Sequence, residues 1–186
     1  MRREWLEVGL RSLSFLLALF IYSSAHAEAE SLYFKFKDYS VVSACVLDPK
    51  DQSHSEKVKT SGLKQAIEKA LLDRKSIRFQ IASTPKNADI LIETTVTEYY
   101  WTDHDPVDML MGVGATAMDA AIVENYVRLQ ADIIVKDAKK NTVLWRERVM
   151  ATITGGKLTE ENAPHLINER MAKVFIKACF AKTRKT

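Results

Sequence analysis

Several candidate metal ligands lie close together near the middle of the chain. The stretch TDHDPVD contains Asp103, His104, Asp105 and Asp108. Carboxylate oxygens and an imidazole nitrogen bind divalent cations, but a metal site needs fixed geometry and usually takes further ligands from distant positions. A polar turn explains the same residues. We therefore predict neither a metal site nor a cofactor.

The residues needed for nucleophilic catalysis or phosphate binding are not grouped in this sequence. Serine and histidine occur together only in QSHSE, residues 52–56, without the pattern of a nucleophile elbow. Gly112-Val-Gly114 and Gly155-Gly156-Lys157 lack the remaining glycines of dinucleotide- and nucleotide-binding loops. We predict that the protein is not an enzyme.

The two cysteines, Cys45 and Cys179, suggest anchoring or cross-linking. Cys45 ends the stretch SVVSAC, which is close to the motif at which bacterial lipoproteins are lipidated. That motif acts at the end of a signal peptide, whereas several charged residues separate Cys45 from the apolar N-terminal run, so we predict no lipid there. In an exported chain an even pair often forms a disulfide. Two separate buried thiols are the alternative.

The N-terminus has the pattern of a secretory signal peptide. Arg2 and Arg3 precede the uncharged run SLSFLLALFIY, residues 12–22, and small residues follow at Ala25 and Ala27. The run is shorter than the roughly 20 residues that a membrane-spanning helix needs. We predict cleavage after Ala27 and a periplasmic protein, with an N-terminal membrane anchor or an association with the outer membrane as the alternative.

Length and charge limit the number of domains and the kinds of partner that this chain can have. Residues 28–186 suit a single domain with a proper core. The whole chain carries 27 Lys and Arg against 24 Asp and Glu, a formal net charge of +3. This balance gives no reason to expect a nucleic-acid partner.

Hydrophobic periodicity predicts the order strand, helix, four strands, helix. Apolar residues recur at three- and four-residue steps within 55–74 and 159–182, which is typical of amphipathic helices. Alternating or β-branched runs predict strands at 39–47, 77–81, 90–101, 126–135 and 142–153, with an extended lead-in at 32–37. The two helical stripes have one natural place to be buried, side by side on one face of the sheet. The sequence therefore predicts an α+β two-layer sandwich with a mostly antiparallel sheet of about five strands.

The connection at residues 102–125 is too long for an ordinary hairpin loop. Its centre is rich in methionine and small residues, and three interpretations remain open: a short helix folded back on the domain, an adaptable surface for a partner protein, or a lipid contact through 109–123. Aromatic residues that precede it make good binding anchors. The candidate binding residues are Tyr99, Tyr100, Trp101, Met109, Leu110, Met111, Gly112, Gly114 and Met118.

Three stretches together resemble exported proteins of the bacterial envelope. A strand of these families is similar to residues 87–101, NADILIETTVTEYYW. The hairpin that follows it is similar to residues 127–149, VRLQADIIVKDAKKNTVLWRERV. Their closing helix is similar to residues 168–179, NERMAKVFIKAC. The families are the LptE-like lipopolysaccharide-assembly lipoproteins, penicillin-binding-protein activator lipoproteins, and proteins that share the TolB amino-terminal fold. The resemblance implies a noncatalytic accessory protein that docks on an envelope or outer-membrane partner.

Two functions from different classes follow. The first is a binding or assembly factor of the cell envelope that uses the long connection and one sheet edge. The alternative is a lipid or small-molecule carrier whose ligand lies between the sheet and the helices.

Overall fold

The computed structural model describes residues 31–55, 60–102, 125–155 and 157–182. The helices are α1 (Tyr33–Phe36), α2 (Thr60–Leu72) and α3 (Ala163–Cys179), and a 3-10 turn covers Pro85–Asn87. The strands are β1 (Val42–Val46), β2 (Lys50–Asp51), β3 (Phe79–Ile81), β4 (Ile90–Thr102), β5 (Tyr126–Asp137) and β6 (Val143–Thr154). They form one layer of sheet and one of helices, which confirms the predicted α+β sandwich.

The sheet combines a short parallel part with a long antiparallel part. Its strand order is β3-β1-β4-β5-β6, and β2 pairs with β4. β1 lies parallel to both β3 and β4, whereas β4 pairs with β5 and β5 with β6 in antiparallel fashion. α2 connects β1 to β3, because two parallel neighbours need a crossover rather than a hairpin turn.

The core lies between one face of the sheet and the two longer helices. Every second side chain of β5, from Val127 to Val135, is fully buried. Opposite them lie the apolar stripes of the helices, which include Leu63, Ile67 and Leu71 of α2 and Ile167, Met171 and Phe175 of α3. The rings of Trp145 and Phe175 lie 5.5 Å apart, and those of Phe79 and Phe180 lie 5.2 Å apart. This packing gives no support to a carrier whose ligand would occupy the same space.

The two longer helices contact one another along their whole common length. Near the start of α2, a Cβ atom on Gly62 would lie only 3.0 Å from Nδ2 of Asn168, so a glycine permits the close approach. Midway, Nζ of Lys69 lies 3.1 Å from Oε1 of Glu169. Just after α2, the Arg74 guanidinium donates hydrogen bonds to the carbonyl oxygens of Ile176 and Phe180.

Residues 32–37 are not the extended lead-in that their alternation predicted. Tyr33–Phe36 form one turn of helix, and the buried side chains of Leu32 and Phe36 lie four residues apart, on one helical face. The Leu32 amide donates to the Cys179 carbonyl at 2.8 Å. Residues 32–37 are compatible with the two-residue period of a strand and with the four-residue spacing of a helix. The contact with the end of α3 selects the helix.

Two loops have conformations that suit their residues. In the β5–β6 hairpin, Oδ1 of Asp137 accepts hydrogen bonds from the amides of Lys139 and Lys140, and Asn141 has a φ of 52°. Gly155 follows β6 with a φ of 145°, a conformation that favours glycine and ends the strand. No helix within the described ranges is long and apolar enough to cross a bilayer.

Cys45 and Cys179 are two free, buried thiols in the structure, and they do not form a disulfide there. Val42, Ala44 and Val46 of β1 belong to the core on the helix side. Because side chains alternate along a strand, Cys45 lies on the other side of the sheet. Cys179 lies on α3 and belongs to the core. The sheet therefore separates the two sulfur atoms.

We expect both thiols to resist alkylation in the folded protein and to react once it is unfolded. Burial is the main cause that raises the pKa of Cys45, and it raises that of Cys179 well above its ordinary value. The reactive thiolate is therefore scarce at neutral pH. The folded state disfavours the thiolate of both cysteines. The free energy of unfolding therefore falls only when the pH rises above the pKa that a cysteine has in the unfolded chain.

Iodoacetamide treatment with and without guanidinium, followed by mass spectrometry of unreduced protein, checks this expectation. Two modified cysteines after unfolding agree with the structure. Two unmodified cysteines that react only after reduction would show that a disulfide is present.

Candidate functional site

The β4–β5 ribbon ends at the long connection. The first half of β4 alternates between buried and half-buried positions, whereas the residues from Thr97 to Thr102 are all half-buried. β4 and β5 nevertheless remain paired as far as Thr102 and Tyr126. At this end of the ribbon, Val127 and Leu129 of β5 are still fully buried, while the side chains of β4 are half-buried.

A β-bulge changes which side chains of β4 face the helices. The register shifts between Val96 and Glu98, and Oγ1 of Thr97 donates to the Gln130 carbonyl at 3.2 Å. Before the bulge the even-numbered positions face the core, and after it Tyr99 and Trp101 pack there. Burial, with a smaller contribution from Glu160, raises the pKa of Tyr99. Of the three predicted aromatic anchors, only Tyr100 lies on the opposite face of the sheet.

We call the residues at this end of the ribbon the aromatic tip: Tyr99, Tyr100, Trp101, Tyr126 and Arg128. The rings of Tyr100 and Tyr126 lie 6.1 Å apart, and Cζ of Arg128 lies 5.8 Å from the centre of the Tyr100 ring. Arg128 also forms an ion pair with Glu98, and this hydrogen bond is the main cause that raises the pKa of Arg128. The cation is therefore held over the ring, where attraction to the aromatic face adds to the pairing.

The remaining predicted binding residues fall outside the described ranges. These are Met109, Leu110, Met111, Gly112, Gly114 and Met118, together with the TDHDPVD stretch from Asp103 to Asp108. The structure fixes the two points between which they are connected. Thr102 pairs with Tyr126, and Asn125 accepts from the Gly155 amide at 3.1 Å and donates to the Leu158 carbonyl. The long connection therefore leaves and re-enters the fold at the aromatic tip.

The sheet face opposite α2 and α3, which we call the open sheet face, is polar and carries ion pairs. Nζ of Lys136 lies 2.6 Å from Oε1 of Glu93. The Arg148 guanidinium binds both carboxylate oxygens of Asp132, at 2.7 and 3.0 Å, and this contact is the main cause that lowers the pKa of Asp132. These pairs place charged side chains of β4, β5 and β6 on the same face of the sheet. Exposed pairs of this kind are each worth about 0–1 kcal/mol, so they keep the face soluble more than they stabilise the fold.

β6 is the long edge strand of the described sheet and carries charges in its middle. Arg146, Glu147 and Arg148 occupy consecutive positions there. Charged side chains on an edge strand hinder its pairing with a further strand. Met150 and Val143 are more than half exposed but stand singly. The aromatic tip is therefore a better candidate for partner binding than this edge.

The described residues offer little that could perform catalysis. No group of three or more His, Cys, Asp or Glu side chains in the described ranges is arranged to hold a metal ion. Both cysteines have pKa values raised by burial, which is the opposite of what an activated nucleophile needs. Nε2 of His165 lies 3.9 Å from Oε1 of Glu169 on the surface of α3, where it forms part of an ordinary side-chain pair.

The sequence did not predict a groove that lies between α2 and α3 on their outer side. It has a volume of about 530 Å³ and is lined by the small residues Ala66 and Ala70, by Ile176 and by several charged side chains. Ala66 also belongs to the core, and Ala70 packs against it. The only sequence signal was the series of lysines toward the C-terminal end of α3.

Comparisons with known proteins give weak likenesses only. No family model matches the chain, and no curated protein matches it. Similar solved structures include a Xanthomonas campestris protein of the family DUF330, with 9% identity, a TM-score of 0.47 and coverage of 74% of this chain and 80% of that one. A lipoprotein of Neisseria meningitidis has 16% identity, a TM-score of 0.41 and coverage of 63% and 86%. A minor lipoprotein of Acinetobacter baumannii has 12% identity, a TM-score of 0.41 and coverage of 77% and 94%.

These neighbours include bacterial lipoproteins, but the likeness is too low to carry an argument about this chain. None of the three is described as an LptE-like protein, a penicillin-binding-protein activator or a TolB relative. The finer resemblance inferred from the sequence therefore stays a prediction.

Proposed function

We propose that this chain is a noncatalytic accessory protein of the bacterial cell envelope that binds a partner protein through its aromatic tip. The partner belongs to the outer membrane or to another part of the envelope-assembly machinery. The protein works in the periplasm after removal of residues 1–27, or stays associated with a membrane.

The observation that carries this proposal is the pairing of Tyr100 and Tyr126 beside Arg128 on the open sheet face. Tyrosine and arginine are over-represented among the residues that dominate protein–protein binding energy. The Arg128–Glu98 pair already restrains the arginine. Restraint of this kind reduces the entropy that a partner must remove on binding.

The position of the long connection supports the same surface. The segment starts and ends beside Tyr100 and Tyr126, so both of its attachment points belong to the surface that a partner would cover. Methionine side chains adapt to irregular surfaces because they are unbranched and polarisable. The tip would supply a fixed anchor, and the connection would supply adaptable contacts.

The assignment to the envelope, and to a noncatalytic role, comes from the chemistry of the sequence and the site. The N-terminal pattern of a basic start, an apolar run and small residues supports export. The buried thiols with raised pKa values and the solvated ion pairs of the open sheet face are suited to structure rather than to catalysis.

Site-specific photo-cross-linking in the host tests the proposal. A benzophenone amino acid at Tyr100 is expected to cross-link to one envelope protein, which mass spectrometry would identify. The matched control is Tyr39, which is 54% exposed. Tyr39 lies before the start of β1, whereas Tyr100 lies near the end of β4. Because β1 and β4 are parallel neighbours, the two positions lie at opposite ends of the sheet.

The cross-link at Tyr100 should then disappear in an Arg128→Ala variant with an unchanged circular dichroism spectrum. Equal products from Tyr39 and Tyr100, or an Arg128→Ala variant that still cross-links fully, would contradict binding through the tip.

A further inference from the structure

The groove between α2 and α3 combines an apolar floor with basic walls. Ala66, Ala70 and Ile176 contribute apolar surface. Five of the side chains that line the groove are basic and two are acidic; the basic ones are Lys69, Arg74, Lys173, Lys177 and Lys182. The groove therefore has a surplus of positive charge beside a surface that can accept hydrocarbon.

The carboxylates of the groove do not neutralise this surplus. Glu169 is paired with Lys69 at 3.1 Å, and this contact is the main cause that lowers the pKa of Glu169. Lys173 and Lys177 are exposed on α3, one turn apart, and form no ion pair with any carboxylate of the described ranges. They can therefore offer their charges to a bound anion.

Arg74 holds one end of the groove in place. Its guanidinium donates to the carbonyl oxygens of Ile176 and Phe180, and its Cζ lies 5.6 Å from the centre of the Phe180 ring. These contacts tie the end of α2 to the last turn of α3. The groove is thus a built feature of the helix pair and does not depend on the surface lysines for its shape.

The N-terminal part of the chain reaches the fold beside this groove. Oγ of Ser31 donates to the carbonyl oxygen of Ala181, a residue that lines the groove, at 2.6 Å. The apolar run at residues 12–22 ends nine residues earlier in the sequence. Because an extended chain covers at most about 3.5 Å per residue, the connection spans no more than about 30 Å. If the chain keeps this run in a membrane, the tether limits the distance between Ser31 and the bilayer surface to about 30 Å.

We infer that the α2–α3 groove binds the phosphate headgroup of anionic phospholipids at a membrane surface. Lys173 and Lys177 contact the phosphate, and the apolar floor accepts the adjoining glycerol and the first carbons of the acyl chains. Basic side chains near an anionic membrane attract it by electrostatics, and the attraction weakens as salt rises. This surface lies on the outer side of the helices, away from the open sheet face, so it is independent of the proposed partner site.

Vesicle flotation with the protein isolated from its host's envelope fraction tests the inference. Vesicles of phosphatidylcholine with 30% phosphatidylglycerol are compared with pure phosphatidylcholine. The test variant is K173E/K177E, and the matched control is K139E/K140E, which makes the same change in net charge at exposed positions of the β5–β6 hairpin. Both variants keep the same N-terminus, so any membrane contact of that segment cancels between them.

We expect K173E/K177E to bind the anionic vesicles at least about tenfold more weakly than the unaltered protein, and K139E/K140E to bind within about twofold. Equal losses in both variants would show a nonspecific charge effect and overturn the inference, as would no loss in either. Inorganic phosphate at 10 mM is added in a further arm. Full release from the vesicles by free phosphate would show a site for a small anion and not for a lipid surface.

Discussion

Replacing Trp145 with alanine is expected to lower the free energy of unfolding by about 3–5 kcal/mol. Trp145 is 2% exposed on β6, and its ring packs against Phe175 of α3. It is among the largest fully buried side chains of the described core, so its removal leaves a cavity where the sheet meets α3. Guanidinium denaturation followed by circular dichroism gives the difference.

A substitution on the same strand supplies the control. Met150 is 54% exposed on the open sheet face, and Met150→Ala should change the free energy of unfolding by no more than about 0.5 kcal/mol. If the two variants lost similar amounts, β6 would not have its core side against α3, and the two-layer arrangement would be wrong.

The second large effect is expected on α2. Ile67→Ala should cost about 2–5 kcal/mol, because Ile67 is fully buried between α2 and the sheet. Leu72 lies five residues later and is 56% exposed, so Leu72→Ala is the matched control and should cost little. The same denaturation measurement applies. A large loss at Leu72 with a small loss at Ile67 would mean that α2 presents the opposite face to the sheet.

Much of this fold follows from local sequence patterns. The alternation of β5 and the three- and four-residue spacing of Leu63, Ile67 and Leu71 predict element type directly, because each period places one set of side chains on one face. Once both helices have a single apolar stripe, a two-layer arrangement is the simplest way to bury both. The turn at Asp137–Asn141 is also largely local, since the Asp137 side chain accepts from the amides of Lys139 and Lys140, two and three residues later.

The features that sequence reasoning missed depend on distant contacts. The turn of helix at Tyr33–Phe36 is decided by the end of α3, to which Leu32 donates a hydrogen bond. β2 is a two-residue exposed strand without an apolar pattern, and the pairing of β1 with both β3 and β4 joins parts of the chain far apart in sequence. No residue type near Thr97 indicates a bulge.

The bulge matters most for the candidate site. Tyr99, Tyr100 and Trp101 are equivalent in the sequence, yet only Tyr100 lies on the open sheet face, beside Tyr126 and Arg128. The sequence therefore located the right end of the ribbon but did not distinguish the anchor from the core residues. Ala66 is buried in the core and Ala70 packs against it, and both also line the outer groove, which no local pattern of the sequence indicated.

The two proposed surfaces require that α2 and α3 share one face of the sheet and leave the other face open. Methionine oxidation measures this most directly, because a thioether reacts with hydrogen peroxide according to its exposure. Met150 lies on the open sheet face and is 54% exposed, whereas Met171 lies on α3 and is fully buried. Peptide mapping of the folded protein over a time course should show rapid oxidation of Met150 and protection of Met171 until the protein unfolds. Protection of both would mean that the sheet is covered on both faces, and rapid oxidation of both would mean that the helix does not pack on the sheet.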